Sequence, residues 1–439
     1  MLIRNFFALT LLAQLLFYAF KIANGAVFPD ELEHFERCQY YFREFTLFIH
    51  DLPSTYRYGP ISTSPFFYHF LMGNLQHLQP YLAPGLHNMI FLRLANVILG
   101  MLTYYFSYCT ICELTKDRLI KFTTLLILTN TMMYVSLFAA VSYDNLTNCL
   151  AVISFYHLIK IANAPLSDFQ LFRKHLLYFI LISLMGCLTK ITYLPLLLIQ
   201  IPILFYYGKK FFHPQLWQQI PRQNYLLLMA IVLFLSLNGG VYLRNLLLYH
   251  TPVPSCQKVL GEEICSTTAG MVKRDAHLKQ ENASEPLLPF QRYFKNYIEH
   301  TLGSTFALHG HMTMIKDTNA LQKEFMLIAF ALALLLLFNS KHCFSNPSFN
   351  LLFISALAYA SIVLYTNYQS YIEIRSIGHA IQGRYNFPVL LNLVLILVYG
   401  SMHGLASKIK WALLLYTTYT FVKGNLYYFL KHSTPLWFN

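Results

Sequence analysis

Charged side chains are scarce in this sequence. Asp, Glu, Lys and Arg make up only 12% of its 439 residues and 56% are hydrophobic, whereas roughly a quarter of an ordinary soluble domain is charged. A single soluble core could not enclose so much apolar surface. The composition therefore argues against a soluble globular domain and favours a chain that lies largely in a membrane.

Patterns that mark several common kinds of site are also missing. The sequence shows no Cys-His array with metal-site spacing, no Gly-rich phosphate loop and no internal repeat. The net charge of +13 does not require a nucleic-acid partner, because most of it lies in short loops between apolar segments. No cofactor can be assigned from the sequence.

Long apolar runs are what the sequence does contain. A helix needs roughly 20 residues to cross a hydrocarbon core of about 30 Å, and runs of about that length recur along the chain. They predict an all-α polytopic membrane protein, residues 1–439 forming a single membrane domain with about eleven transmembrane helices. The predicted segments are 5–24, 89–111, 119–141, 143–162, 175–190, 191–207, 224–243, 322–338, 349–366, 386–402 and 411–430. The first could be taken for a cleavable signal peptide, but its length and the segments that follow favour an uncleaved helix.

The distribution of positive charge predicts which side each loop faces. With the N-terminus in the cytoplasm, most Lys and Arg residues of the short loops lie on the cytoplasmic side. The two long segments, 25–88 and 244–321, then lie outside and are predicted to form helical outer loops, the second basic enough to face anionic membrane lipids. Cys256 and Cys265 share that second loop in an oxidising compartment, so we predict a disulfide between them.

The stretch directly after the first span is the most informative. Residues 28–35, Phe-Pro-Asp-Glu-Leu-Glu-His-Phe, open an amphipathic helix predicted over 31–49. Asp30 and Glu33 could form a capping box and merely satisfy the first amide groups of that helix. The chemical alternative is that adjacent carboxylates at the mouth of a helical bundle deprotonate a hydroxyl acceptor arriving from outside.

Other polar residues lie at predicted outer helix ends. Ser64 as N-cap and Pro65 as first helical residue predict a further helix in the first loop. Asp144 would be a carboxylate at membrane depth, which is costly and indicates function, although it could equally cap its helix. Positive side chains converge on the same side and together suggest an anionic ligand, although snorkelling explains most of them individually. They are Lys190, Arg244, Arg375, His379 and Arg384.

Several of these motifs together resemble a known family. They occur in the family's order over nearly the whole chain: Pro29-Asp30-Glu31 with His34-Phe35, Ser142-Tyr143-Asp144, Thr189-Lys190 with Tyr193, Tyr242-Leu243-Arg244-Asn245, Gly303-Ser304-Thr305-Phe306 to His309-Gly310, and Gln382-Gly383-Arg384-Tyr385 before Pro388. The set looks like a family of bacterial multispanning membrane proteins of unknown function, which is similar in turn to GT-C-type membrane glycosyltransferases. Leu32 stands where that family commonly has Pro, and the second loop is divergent, which leaves the acceptor open.

The resemblance implies a GT-C-like transferase that takes a sugar from a polyprenyl-phosphate donor. The acceptor would be a glycan, a lipid or a protein, and the active site would face the periplasm or outside from a bacterial inner membrane. Sugar transfer needs a base for the acceptor and cations for the departing phosphate. We expect Asp30 as the base, with Glu31 as second candidate and His34 orienting it or shuttling its proton. The residues expected to bind the donor phosphate are Arg384, Lys190 and Arg244.

Asp144 is a candidate for substrate contact or, with Asp30, for a divalent metal, although the spacing requires none. Two other functions stay open. A transporter or lipid-handling protein without transferase activity would carry charged or Gly/Pro-broken residues at the middle of paired spans, whereas here the ionisable groups cluster at outer helix ends. The other is a non-enzymatic assembly or scaffold protein.

Overall fold

The structure is a computed structural model that describes residues 2–24, 27–165, 168–208, 224–306, 319–379, 381–433 and 435–438. Within these ranges it is all-helical apart from one isolated bridge between Ile22 and Phe438. The helices up to residue 207 are α1 (Leu2–Lys21), α2 (Glu31–Arg43), α3 (Phe67–Leu75), α4 (Gln79–Leu82), α5 (Asn88–Leu114), α6 (Arg118–Asn130), α7 (Met132–Phe138), α8 (Tyr143–Asn163), α9 (Phe169–Thr189) and α10 (Tyr193–Tyr207). The later ones are α11 (Tyr225–Asn238), α12 (Arg244–Tyr249), α13 (Cys256–Leu260), α14 (Glu262–Thr268), α15 (Gly270–Glu281), α16 (Phe290–Phe306), α17 (Asn319–Cys343), α18 (Pro347–Ile374), α19 (Leu390–Met402), α20 (Ser407–Val422) and α21 (Tyr428–His432).

Six of the described helices are long and apolar enough to cross a membrane, so the chain is an integral membrane protein. They are Leu2–Lys21, Asn88–Leu114, Phe169–Thr189, Tyr225–Tyr249, Pro347–Ile374 and Gly383–Met402. Each contains or overlaps one of the predicted segments. The predicted total of about eleven is not confirmed, since the described part of the chain supports six, or seven if a bent pair counts as one span.

That bent pair replaces the single helix predicted over 119–141. The chain turns by 65° between α6 and α7 at Thr131, where the regular helical hydrogen bonds are interrupted. The other predicted segments also lie in helices, although these fall outside the six. They are 143–162, 191–207, 322–338 and 411–430, the last of which is interrupted by a π-helical turn over Lys423–Tyr427.

α8 lies at the centre of the bundle. It packs against α5, α9, α10 and α18, and most of its side chains are buried, including polar ones such as Asn145 and Asn148. A helix buried on nearly all sides is held firmly by its neighbours. The first turn of α8, which contains Asp144, is therefore fixed at the middle of one end of the bundle.

The two long segments meet at that same end, which we call the loop end. Glu31 of the first long segment pairs with Arg93 near the start of α5. From the second long segment, the Ser304 hydroxyl accepts a hydrogen bond from the Gly383 amide. These contacts bring both long loops to one end of the bundle, and which side of the membrane this is stays a prediction.

Two local predictions in the first loop are wrong. The helix predicted over 31–49 ends at Arg43. The helix predicted to start at Ser64 and Pro65 starts at Phe67 instead, because the Ser64 hydroxyl donates to the Pro60 carbonyl and does not cap the helix. In the second loop, Cys256 and Cys265 are joined by a disulfide that ties α13 to α14.

Candidate functional site

Four charged side chains meet at the loop end around Arg384. Its Nη2 donates to Asp30 Oδ2 at 2.5 Å, and its Nη1 lies 3.8 Å from Asp144 Oδ2. The ammonium group of Lys190 pairs with Asp144 Oδ1. We call these four residues the acid–base cluster. Its two carboxylates and two cations sum to zero charge, which is the condition under which ionised groups can be buried together.

The members of the cluster come from parts of the chain that are far apart in sequence, and each occupies the end of a helix. Asp30 precedes α2, Asp144 lies in the first turn of α8, and Lys190 directly follows α9. Arg384 belongs to a 3₁₀ helix, Gly383–Val389, that leads into α19. The bundle thus places two acids and two cations at one point on its loop end.

Asp30 stands at the N-cap position of α2, but its side chain does not cap the helix. Its side chain makes no capping hydrogen bond, and its backbone is left-handed at φ 60°, a conformation that costs energy for a residue with a side chain. Glu33 pairs with Arg37 at 2.6 Å. The capping-box interpretation is therefore wrong. The Asp30 side chain, 29% exposed, is the most accessible of the four.

Asp144 does not cap its helix either. The cap of α8 is Ser142, whose hydroxyl accepts from the Asp144 amide. Asp144 Oδ2 and Arg384 Nη1 are both buried without a hydrogen-bond partner. At 3.8 Å these two atoms form a long ion pair with each other and no hydrogen bond, so an oxygen of a ligand could complete the guanidinium.

Glu31 lies next to Asp30 in sequence but in a different environment. Its carboxylate and the Arg93 guanidinium are both fully buried and form two hydrogen bonds, at 2.8 and 2.6 Å. Glu31 also accepts from the Val141 amide at 3.0 Å. This arrangement occupies the carboxylate fully and leaves it no access to a substrate. As second candidate for the base, Glu31 gains no support from these contacts.

His34 lies beside the cluster and has a partner that the sequence argument did not assign to the site. Its Nδ1 is 3.1 Å from Nε2 of His69 on α3, and its ring packs against Tyr143 with ring centroids 4.2 Å apart. Burial, and then the charges of His69, Arg37, Arg384 and Lys190, hold the pKa of His34 well below its usual range. His34 is therefore a neutral hydrogen-bonding group at neutral pH, and its buried Nε2 has no partner.

Of the cations predicted to bind the donor phosphate, Lys190 belongs to the acid–base cluster and Arg244 does not. Lys190 also lies over the rings of Tyr143 and Tyr385, 4.5 and 5.6 Å from their centroids, which adds cation–π attraction. Arg244 is exposed, and none of the described acids forms an ion pair with it. Its proposed role at the donor phosphate stays a prediction without support from these contacts.

One cavity lies far from the cluster. It has a volume of about 520 Å³ and is lined by residues such as Arg173 and Lys174 near the start of α9, whereas Lys190 follows the end of that helix. A helix of 21 residues is about 32 Å long, so the two sites lie at opposite ends of the bundle. Within the described ranges, no three His, Cys, Asp or Glu side chains are grouped as metal ligands.

Comparison with known proteins gives a distant structural likeness. No protein-family model and no curated protein sequence matches the chain. The fold is similar to two crystal structures of ArnT from Cupriavidus metallidurans, one in the apo state and one bound to undecaprenyl phosphate. Identity is 14% in both cases, the TM-scores are 0.41 and 0.40, and each alignment covers 90% of this chain and 76% of the solved one. At this identity and these TM-scores, the likeness assigns neither a family to this chain nor a role to any of its residues.

Proposed function

We propose that the chain is a membrane glycosyltransferase that moves a sugar from a polyprenyl-phosphate donor to a hydroxyl acceptor on the non-cytoplasmic side. The observation that supports it best is the position of Arg384 between two carboxylates at the loop end. An arginine in that position can bind an oxygen of the donor phosphate, while the freed carboxylate of Asp30 takes the acceptor proton.

The charges at the site would couple binding of the donor phosphate to activation of Asp30 as the base. Before the donor binds, the Arg384 guanidinium neutralises Asp30, and its Nη1 makes no hydrogen bond. A phosphodiester bound to Arg384 competes with Asp30 for the same guanidinium. Asp30 would then lose its hydrogen-bond donor, become more basic, and stand beside the bound donor.

The transfer step follows from these positions. The acceptor hydroxyl oxygen attacks the anomeric carbon of the donor sugar, and its proton passes to the Asp30 carboxylate. The bond between the anomeric carbon and the phosphate oxygen breaks, and its electron pair stays on the phosphate. Arg384 and Lys190 stabilise the additional negative charge on that phosphate, where preorganised cations act most strongly.

The remaining groups would orient the reactants. Asp144 holds Lys190 and lies beside Arg384, so it fixes both cations in place. His34 is neutral, and its unpaired Nε2 can exchange a hydrogen bond with a substrate hydroxyl. His69 would set which nitrogen of His34 carries the proton.

The direct test is donor consumption by the purified protein. The protein is incubated with a panel of polyprenyl-phosphate-linked sugars and candidate glycan, lipid and protein acceptors, and mass spectrometry follows loss of donor and release of polyprenyl phosphate. We expect at least one donor to be consumed. Arg375→Lys serves as control for variants of Arg384, because this second cation at the loop end donates to the Ala283 and Glu285 carbonyls. Donors that all remain intact with every acceptor would contradict the proposed function.

A further inference from the structure

A second group of polar side chains is buried beside Arg384. Tyr297 of α16, Asn367 of α18 and Asn386 of the 3₁₀ helix are 5%, 5% and 7% exposed. The described hydrogen bonds and ion pairs connect none of them to the acid–base cluster. They nevertheless belong to elements that meet at the loop end, and Asn386 follows Arg384 by two residues.

The local sequence explains why these residues come together. Tyr293 and Tyr297 are four residues apart and share one face of α16. Gly383 lets that helix approach the 3₁₀ helix closely, because a Cβ at this position would lie 2.2 Å from Thr305 Oγ1 and 2.5 Å from its amide nitrogen. Asn367 is buried on α18, which also packs against the 3₁₀ helix.

The three side chains are only partly paired. α16 and α18 both pack against the 3₁₀ helix, which brings the phenol of Tyr297 near both amides. Burial raises the pKa of Tyr297, and the neighbouring polar groups of Asn386, Thr301 and Asn367 oppose that rise. Asn386 Oδ1 and Asn367 Nδ2 are nevertheless buried without partners. An unpaired polar atom on each of two buried amides destabilises the fold unless something binds it.

Aromatic rings pack beside the two amides. Tyr293 is fully buried and stacks on Tyr371, with ring centroids 4.8 Å apart and an interplanar angle of 26°. The Tyr293 hydroxyl is a third buried polar atom without a partner. Amide groups that bind hydroxyls, next to flat aromatic faces, are suited to a ring that carries several hydroxyl groups. If these residues only filled space, apolar side chains would serve equally well and would leave no polar atoms unpaired.

We propose that Asn386, Asn367 and Tyr297 bind hydroxyl groups of the sugar that the donor carries. We call these three residues the sugar subsite. A 3₁₀ helix rises about 2 Å and turns about 120° per residue, so Asn386 lies roughly 4 Å further along the axis than Arg384 and projects from another side of the helix. A sugar joined to a phosphate at Arg384 would extend around the helix to reach it. This inference rests on the proposed function, because it takes the donor phosphate to be at Arg384.

The test separates recognition of the sugar from recognition of the phosphate. Binding of undecaprenyl phosphate is compared with binding of the same lipid carrying glucose, galactose, mannose or arabinose, using purified wild-type protein in detergent. We expect at least one sugar to tighten binding about tenfold, which corresponds to about 1.4 kcal/mol. Asn386→Leu and Tyr297→Phe should each remove most of that increment and leave the affinity for the bare lipid phosphate within about twofold.

A matched control distinguishes a missing contact from a damaged fold. Asn245 is also buried at the loop end, but its amide already donates to the Thr63 and Pro252 carbonyls. Asn245→Leu should therefore keep the sugar increment even if it lowers the unfolding temperature. Tyr297→Phe removes a single oxygen atom and serves as the variant least prone to unfold.

Two results would overturn the subsite. One is equal binding of the bare lipid and of all four sugar-carrying lipids by the wild type. The other is equal weakening of both kinds of ligand in Asn386→Leu and Tyr297→Phe, as expected if the group only holds α16 in place. Failure of the wild type to bind bare undecaprenyl phosphate would instead contradict the phosphate site at Arg384, and with it the proposed function.

Discussion

Two buried ion pairs at the loop end begin at neighbouring residues and differ in almost every physical respect. The pair of Glu31 and Arg93 is fully closed: both side chains are inaccessible, and Arg93 also donates to the carbonyls of Ala19, Ile22 and Ala23. The contacts of Asp30 and Arg384 are partly open, since Asp30 is 29% exposed and Arg384 Nη1 makes no hydrogen bond.

The difference separates a structural role from a chemical one. Through Glu31 and Arg93, the end of α1 is joined to α2, α5 and the start of α8, so the closed pair fixes the first loop on the bundle. The acid–base cluster keeps hydrogen-bonding capacity unused at the same end. We infer that the pair of Glu31 and Arg93 holds the pair of Asp30 and Arg384 in place. Mutation should therefore not be able to exchange the structural role of the first pair with the chemical role of the second.

The largest expected effect is on stability at the closed pair. Glu31→Gln leaves the Arg93 charge buried without a counter-ion, which typically costs 3–5 kcal/mol. Glu33→Gln is the matched control, because Glu33 is 33% exposed and its pair with Arg37 is worth at most about 1 kcal/mol. Thermal unfolding of the detergent-purified variants measures both. Equal unfolding temperatures for the two variants would contradict the structural role of Glu31.

The next effect is on turnover at the open pair. Arg384→Lys keeps the positive charge but loses the planar fork that binds two oxygens at once. We expect turnover to fall about ten- to a thousandfold, a loss of roughly 1.4–4 kcal/mol of transition-state stabilisation, with little change in expression. The assay follows consumption of a defined polyprenyl-phosphate sugar, with Arg375→Lys as control. Near-normal turnover in Arg384→Lys would leave Arg384 as an interface anchor.

The smallest effect is a pH dependence of stability from His34 and His69. Burial, assisted at His34 by cations of the cluster, holds both pKa values well below 6.5, so the unfolded chain binds protons that the folded chain does not. Stability is therefore full above pH 6.5 and falls as the pH is lowered. Each histidine should lower the free energy of unfolding by about 1 kcal/mol as the pH falls from 6.5 to 5.5.

Unfolding temperatures measured across that pH range, for the wild type and for His69→Gln, test this dependence. The variant should show the shallower slope. The control is His277→Gln, whose side chain is 69% exposed in the wild type. An unchanged slope in His69→Gln would show that His69 is not buried as a neutral group.

The fold was predictable wherever a single helix carries its own signal. Apolar runs of membrane-spanning length located α1, α5, α9 and α18 because hydrophobicity and length are local properties. The bend between α6 and α7 was not predictable. Asn130 and Thr131 contain neither Pro nor Gly, so no backbone signal marks the break, and the adjacent apolar residues continue the run on both sides.

The residue types of the site were predictable, but their partners were not. Asp30 and Arg384 are 354 residues apart, and no spacing rule connects them. The capping-box pattern at Asp30 was misleading because the left-handed backbone turns the carboxylate away from the helix. One signal was overlooked: Arg93 lies inside an apolar span, and an arginine at membrane depth needs an acidic partner, which is Glu31.

The central claim is that Asp30, and not its neighbour Glu31, takes the proton from the hydroxyl group of the acceptor. Asn tolerates a left-handed backbone and has the shape of Asp, so Asp30→Asn removes the charge with little else. The most direct measurement is turnover per folded molecule of Asp30→Asn and Glu31→Gln with the same donor and acceptor. The account predicts a loss of about 10²- to 10⁴-fold for Asp30→Asn and near-normal turnover for the Glu31→Gln protein that folds. Full activity of Asp30→Asn, with folded Glu31→Gln inactive, would contradict it.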